Sequence, residues 1–283
     1  MERQNANKLK ELLDETPHGF LVDANALARS GIDHRLVHKY LKSGWLEPVI
    51  RGVYRRPFLG VSGPADQATE WQIVMLSLSL MGYQGHVGGE TALGLQGYRH
   101  NLRLAGKERV FVFGDDLPNW LRRVRTNADF LTRNLSLFDG ADLCVGARES
   151  GFAEHPTRDT AALNTLHLTM RLSYPERAVL EMLNEVPGEM TFASVDQIFE
   201  GLANLRPARL QSLLDACTSI KTKRLFFVFA DRHNHAWRKY VSPEGFDLGK
   251  GPRTLFKGGK YHPEYRISVP ADFVEKFERA DDR

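Results

Sequence analysis

Helix starters and chain breakers follow one another so closely over residues 16–57 that only short elements fit between them. Thr16-Pro17, Asp23, Gly31, Asp33, Ser43-Gly44 and Gly52 set the rhythm. An Asp ahead of an apolar-periodic run caps a helix, a Gly behind it stops one, and a Thr-Pro pair ends one. The spacing predicts a first helix from Asn5 to Glu15, with Leu9, Leu12 and Leu13 on one face. A second opens at Val22-Asp23, with Asp23 as its N-cap. A third runs from His34 to Lys42 behind Asp33, with Leu36, Val37, Tyr40 and Leu41 as its apolar stripe. Trp45 to Val49 and Val53 to Arg56, joined through Ile50-Arg51-Gly52, alternate and read as a hairpin. Three short helices followed by a basic hairpin make the layout of a winged helix-turn-helix.

Charge reinforces this reading. The chain of 283 residues has a net charge of only +3, but the segments differ. Residues 29–56 hold seven Lys/Arg against Asp33 and Glu47, and residues 221–266 hold eleven against four. The stretch 173–220 is acidic, with three against seven. Basic islands on a neutral chain are the footprint of an anionic polymer. In the first island, Arg35, His38, Lys39 and Lys42 share the face of the third helix opposite its apolar stripe. Arg51, Arg55 and Arg56 sit on the wing. These seven are the expected DNA-binding residues, the helix in the major groove and the wing on phosphates. Lys221, Lys223, Arg224, Arg232, Arg238 and Lys239 form a secondary basic patch on the same argument.

The remainder reads as mixed α/β structure. Pro57 to Pro64 is a Pro/Gly-rich junction, followed by an apolar helix from about Asp66 to Met81. The glycines of Gly82 to Gly89 lack the endings of a dinucleotide or phosphate loop and lead into a helix with Glu90 in its first turn. Val110 to Phe113 and Ala128 to Leu131 read as strands, with Arg122, Arg123 and Arg125 between them. Ser173 caps a helix with Pro175 in its first turn; further helices start at Ser194 and Pro207. Leu225 to Ala230 is an apolar run that periodicity assigns to neither helix nor strand. Arg253 to Lys257 and Tyr265 to Val269 read as a strand pair. The fold class expected is α+β. The winged helix-turn-helix takes 1–62, a mixed α+β middle domain 63–172, and a helical then strand-containing domain 173–283.

Several function classes drop out. No apolar run approaches the ~18 residues of a membrane helix, so no membrane partner is expected. The N-terminus shows no signal-peptide core, and Cys144 and Cys217 match no disulfide or zinc spacing, so a reducing, cytoplasmic setting is expected. Asp231, His233 and His235 are the one cluster with metal-ligand chemistry, and they read better as polar residues after a buried segment. No cofactor, metal or catalytic set is expected, hence no enzyme. A winged-helix nuclease and a protein-interaction adaptor remain the alternatives.

The stretch Gly44-Trp45-Leu46-Glu47-Pro48-Val49, followed by Arg51-Gly52-Val53-Tyr54-Arg55-Arg56-Pro57, resembles the end of the N-terminal winged helix of the AbiEi family. Lys223 to Trp237, and Lys257-Gly258-Gly259-Lys260 with Tyr265 to Pro270, resemble that family's C-terminal domain. The resemblance implies an antitoxin and transcriptional autorepressor, partnered with a nucleotidyltransferase toxin. It implies double-stranded DNA, an operator inverted repeat, as the ligand. It also implies a C-terminal region that counters the toxin, directly or indirectly, and supports DNA binding. The toxins of such systems carry a Gly-Ser pair followed by Asp-x-Asp; this chain contains neither, so it is not expected to be the toxin.

Overall fold

The computed structural model describes residues 2–58, 68–98, 107–149 and 169–278. Their contacts gather into two compact units of mixed α/β structure. One draws on 1–86, 105–133 and 147–171, the other on 87–104, 134–146 and 172–283.

In the first unit, α1 (Glu2–Glu15), α2 (Ala24–Arg29) and α3 (His34–Lys42) are interleaved with β1 (Leu21–Asp23), β2 (Glu47–Ile50) and β3 (Val53–Arg55). The three strands form an antiparallel sheet in the order β1-β3-β2. The sequence placed Val22-Asp23 at a helix start; the structure makes Leu21 to Asp23 a strand and begins α2 one residue later. The reason is tertiary. Phe20, Leu21 and Val22 are all buried, and Val22 pairs with Tyr54, so apolar burial on both faces favours an extended segment. Asp23 still caps α2, its carboxylate accepting from the Ala26 N–H at 2.7 Å. Gly31 adopts φ +70°, left-handed backbone that only glycine enters readily, and turns the chain into α3. Gly52, at φ +80°, does the same at the β2–β3 turn.

Helix α4 (Trp71–Leu80) packs beside this sheet. Its described N-terminus lies five residues later than the expected start; residues 66–67 are outside the described part. Seven of its ten residues are buried, the signature of a helix apolar on all sides. Ser77 serves the sheet, its Oγ accepting the Leu21 N–H at 2.9 Å. In the same unit, β5 (Glu108–Phe113) and β6 (Ala128–Arg133) run parallel, from Glu108 opposite Ala128 to Phe113 opposite Arg133.

The second unit includes α5 (Gly89–Leu95) and a helical cluster of α6 (Pro175–Asn184), α7 (Phe192–Glu200), α8 (Pro207–Ala216) and α9 (Ile220–His233). Short strands β4 (His86–Val87), β7 (Val145–Glu149) and β8 (Thr169–Ser173) precede α6. Val87 pairs in parallel with Leu172. Ser173, expected as a cap, ends β8 instead, and Tyr174 is the N-cap of α6. The Ser173 hydroxyl donates to Glu181 at 2.8 Å. Glu181 is wholly buried and also receives the Gly89 N–H at 2.9 Å and Arg177 Nε at 2.7 Å.

The apolar run Leu225 to Ala230 is the middle of α9, and every residue of it is buried. Phe226, Phe227 and Phe229 pack against Phe199, Trp237, Tyr265 and Phe273. The terminal strand pair joins β9 (Lys260–His262) to β10 (Ile267–Val269), not Arg253 to Lys257 as expected. Pro252 cannot donate to a ladder, and Arg224 draws the carbonyls of Leu248 and Gly251 inward, so 248–253 stays irregular. Arg253 keeps a single bridge to Ile267. Helix α10 (Ala271–Glu278) follows.

Candidate nucleic-acid interface

Helix α3 is set by local signals at both ends. Asp33 accepts the Leu36 N–H at 2.9 Å, and Gly44 at φ +71° closes the C-terminus. Val37 and Tyr40 are buried on the inner face. Burial first, and then the Asp33 charge, push the Tyr40 phenol up, so it stays neutral beneath the helix. Residues three and four apart share a face. Arg35, His38, Lys39 and Lys42 are therefore aligned on the outer side, and all four are exposed. Among the described residues none of the four has an ion-pair partner. Arg51, at the turn of the hairpin, is exposed as well. Three permanent cations on one helix face and one at the hairpin turn present uncompensated charge to solvent.

The two other wing arginines are a correction. Arg55 is 3% exposed, its Nε lies 2.5 Å from Glu47 Oε1, and its guanidinium stacks over Phe58. Glu47 sits directly opposite Arg55 in the sheet, so cross-strand register pairs the charges. Arg56 donates to the carbonyls of Leu13 and Thr16 at the end of α1, and burial lowers its pKa. Both arginines tie the hairpin to its own unit, Arg55 through Glu47 and Arg56 through the end of α1. Sequence reasoning overlooked Trp45. It is 46% exposed between α3 and β2.

A second set of contacts fixes how this face is held. Asp23 is buried, and besides capping α2 it accepts from the Tyr83 hydroxyl at 2.5 Å and the Trp120 indole at 2.8 Å. Its own N–H meets Met81 Sδ, and Arg29 donates to the Met81 carbonyl at 2.6 Å. One carboxylate thus joins the start of α2 to the residues after α4 and to the β5–β6 connection.

Of the six residues of the secondary basic patch, Lys223 and Arg224 are buried, Lys221, Arg232 and Arg238 are half-buried, and Lys239 is exposed. Lys221 donates to the carbonyls of Asn184 and Val186, and burial lowers its pKa. Lys223 is buried on α9. Arg224 donates to the carbonyls of Leu248, Gly251 and Arg266. Arg232 pairs with Asp196 and Asp272, and Arg238 with Asp231 and the Tyr265 hydroxyl. Only Lys239 of the six is exposed, against Tyr240. Four of these cations are engaged by carbonyls or carboxylates of the same unit and Lys223 is buried on α9, a role that summed charge cannot reveal. The histidines nearby are likewise internal. His233 bonds Asp196 at 2.7 Å and His235 bonds the Phe199 carbonyl at 2.9 Å.

Comparison with known proteins agrees at the level of family. Residues 5–104 match the family described as transcriptional regulator, AbiEi antitoxin N-terminal domain. Residues 107–270 match that described as transcriptional regulator, AbiEi antitoxin, type IV TA system. No curated protein matches the chain. Among solved structures, the crystal structure of the RV2827C protein from Mycobacterium tuberculosis is similar. Its TM-score is 0.53 at 13% identity, over 100% of this chain and 94% of that one. At that identity the likeness shows a shared fold. The two matched families together span both units, and the chain belongs to the AbiEi antitoxins, the transcriptional regulators of type IV toxin–antitoxin systems.

Proposed function

We propose that residues 1–58 form a winged helix-turn-helix with which the protein binds duplex operator DNA. Helix α3 enters the major groove with Arg35, His38, Lys39 and Lys42, and Arg51 on the wing meets the phosphate backbone. The observation that carries this reading is the cation row itself. It is aligned on one helix face, exposed, and without an ion-pair partner among the described residues. The operator is an inverted repeat at the start of the protein's own operon, bound by two chains on two half-sites, because a pseudo-palindrome matches a two-fold pair of recognition helices. Binding there represses transcription in the cytoplasm, and the same protein counters a nucleotidyltransferase toxin as its antitoxin. The chain acts as a regulator and carries out no chemistry on the DNA.

A mobility-shift and footprinting experiment tests the reading, using a labelled duplex from the start of the operon. The intact protein should retard the fragment without cutting it and protect two half-sites. The triple variant Arg35→Ala, Lys39→Ala, Lys42→Ala should lose both effects. A fragment that is cleaved, or retarded equally by the triple variant, would overturn it.

A further inference from the structure

The C-terminal hairpin region carries charge that the internal cations of α9 do not account for. Between residues 247 and 266 lie Lys250, Arg253, Lys257, Lys260 and Arg266 against Asp247 and Glu264, a net of +3. All five cations are exposed, in contrast to Lys223 and Arg224 of α9, which are buried, and Lys221 and Arg232, which are half-buried. Backbone pairing draws several of them together. The Arg253 N–H donates to the Arg266 carbonyl at 2.9 Å, Arg266 Nη1 reaches the Lys250 carbonyl at 2.8 Å, and Tyr261 lies opposite Ser268 on the neighbouring strand. Burial first, then Arg253, and then Arg266 lower the pKa of Arg224, with Tyr261 and Asp247 acting the other way. Backbone pairing places Arg253, Arg266 and Tyr261 on adjacent segments, with Arg253 bridged to Ile267 and Tyr261 opposite Ser268. Like charges assembled this way repel each other, and an anionic ligand would relieve the repulsion.

Two features narrow the anion. Tyr261 is 49% exposed on β9, whereas its neighbour His262 is buried and stacked on Tyr265 at 5.0 Å. Strand alternation turns one aromatic ring inward and leaves the other in water among cations. Arg266 holds φ +51°, backbone that a residue with a Cβ adopts at a cost and that Gly or Asn would take more easily. An exposed ring on a strand whose neighbouring segments carry exposed arginines fits a stacking platform for unpaired bases, with the cations tracking the phosphates. In duplex DNA the base faces are covered by their neighbours, so a half-exposed ring would find nothing to stack on.

We propose that Tyr261, with Arg253 and Arg266, forms a second nucleic-acid surface, specific for single strands and built on residues other than those of α3. Tyr261 stacks on an unpaired base, and the cations neutralise the flanking phosphates.

The test uses the full-length protein carrying the α3 triple substitution, so that loss of duplex binding through α3 cannot be confused with the result. Fluorescence anisotropy is recorded with labelled oligouridylate and oligothymidylate of about 10 nucleotides, and with a random duplex of the same length. Both single strands should bind more tightly than the duplex. Tyr261→Ala should weaken single-strand binding on the order of ten-fold, the loss of one stacked base. Tyr261→Phe should restore it, and Arg253→Ala should weaken it and reduce its salt dependence. A preference for the ribose strand over the deoxyribose strand would identify RNA as the ligand, and equal binding would identify single strands of either sugar. The proposal is overturned if neither strand binds at low salt, if the duplex binds as well as the single strands, or if Tyr261→Ala binds like its parent. It is also overturned if an acidic polypeptide, polyglutamate, displaces the strands at equal charge concentration, because the surface would then be reading charge alone.

Discussion

Replacing Asp23 by Ala should loosen the whole α1–α4 unit, because this one side chain holds three donors from three parts of the chain. The carboxylate caps α2 through Ala26 and accepts the Tyr83 hydroxyl and the Trp120 indole. Losing an Asp N-cap costs about 1 kcal/mol. Each donor stranded without a partner costs roughly 1–3 kcal/mol, with Trp120, only 6% exposed, nearer the upper figure and the less buried Tyr83 nearer the lower. The sum for Asp23→Ala is about 3–5 kcal/mol. Asp23→Asn, which keeps one acceptor oxygen where three donors compete, should cost about half as much. Native-state hydrogen exchange at the α2 and α3 amides is the assay, because it reports this unit separately from the helical one. Exchange through unfolding should accelerate by roughly two to three and a half orders of magnitude in Asp23→Ala, about 1.4 kcal/mol per factor of ten. A change of less than ten-fold, or Asn behaving like Ala, would refute the argument that this carboxylate is a shared acceptor.

The helical unit offers two further tests. Arg177 and Glu181 form an ion pair at 2.7 Å with exposures of 1% and 0%. Arg177→Met should therefore destabilise the unit by about 3–5 kcal/mol in urea unfolding, because Glu181 would be left buried without its partner charge. Pairing it with Glu181→Gln should recover part of the loss, and a single variant as stable as the parent would sink the account. His262 is buried, and burial lowers its pKa although Asp231 pulls the other way. The unfolded chain then takes up the proton first, from about pH 6.5 downward. Stability contributed by neutral His262 is complete above that pH and is lost as the pH falls toward the folded-state value. His262→Gln should flatten the fall in stability below about pH 6.5, and an unchanged pH profile would contradict it.

What could be read from the sequence was whatever local signals fix. The ends of α3 follow from Asp33 and Ser43-Gly44, and the start of α8 from Pro207, all within one turn of the element they bound. The exposed row on α3 followed from helical spacing, and Arg51 from the turn. What escaped depends on partners distant in the chain. Arg55 is consumed by Glu47 through strand register, and Arg56 by carbonyls of α1 about forty residues earlier. A fixed hairpin register would have exposed the first of these in advance; nothing short of the tertiary structure exposes the second. β1 escaped because three buried residues are too few to show a period. The net charge of residues 221–266 misled in a different way. It is the sum of α9 cations directed inward at carbonyls and carboxylates and hairpin cations directed outward, and only burial separates the two groups.

The most direct measurement of the central claim is the salt dependence of operator binding. With Arg55 and Arg56 committed internally, Arg35, Lys39, Lys42 and Arg51 remain to neutralise phosphates. Logarithmic affinity should therefore fall with logarithmic salt at a slope of about −3.6 per bound chain, and of about −0.9 in the α3 triple variant. A shallow slope in the parent, or one the triple substitution leaves unchanged, would mean that the face of α3 is not what holds the DNA.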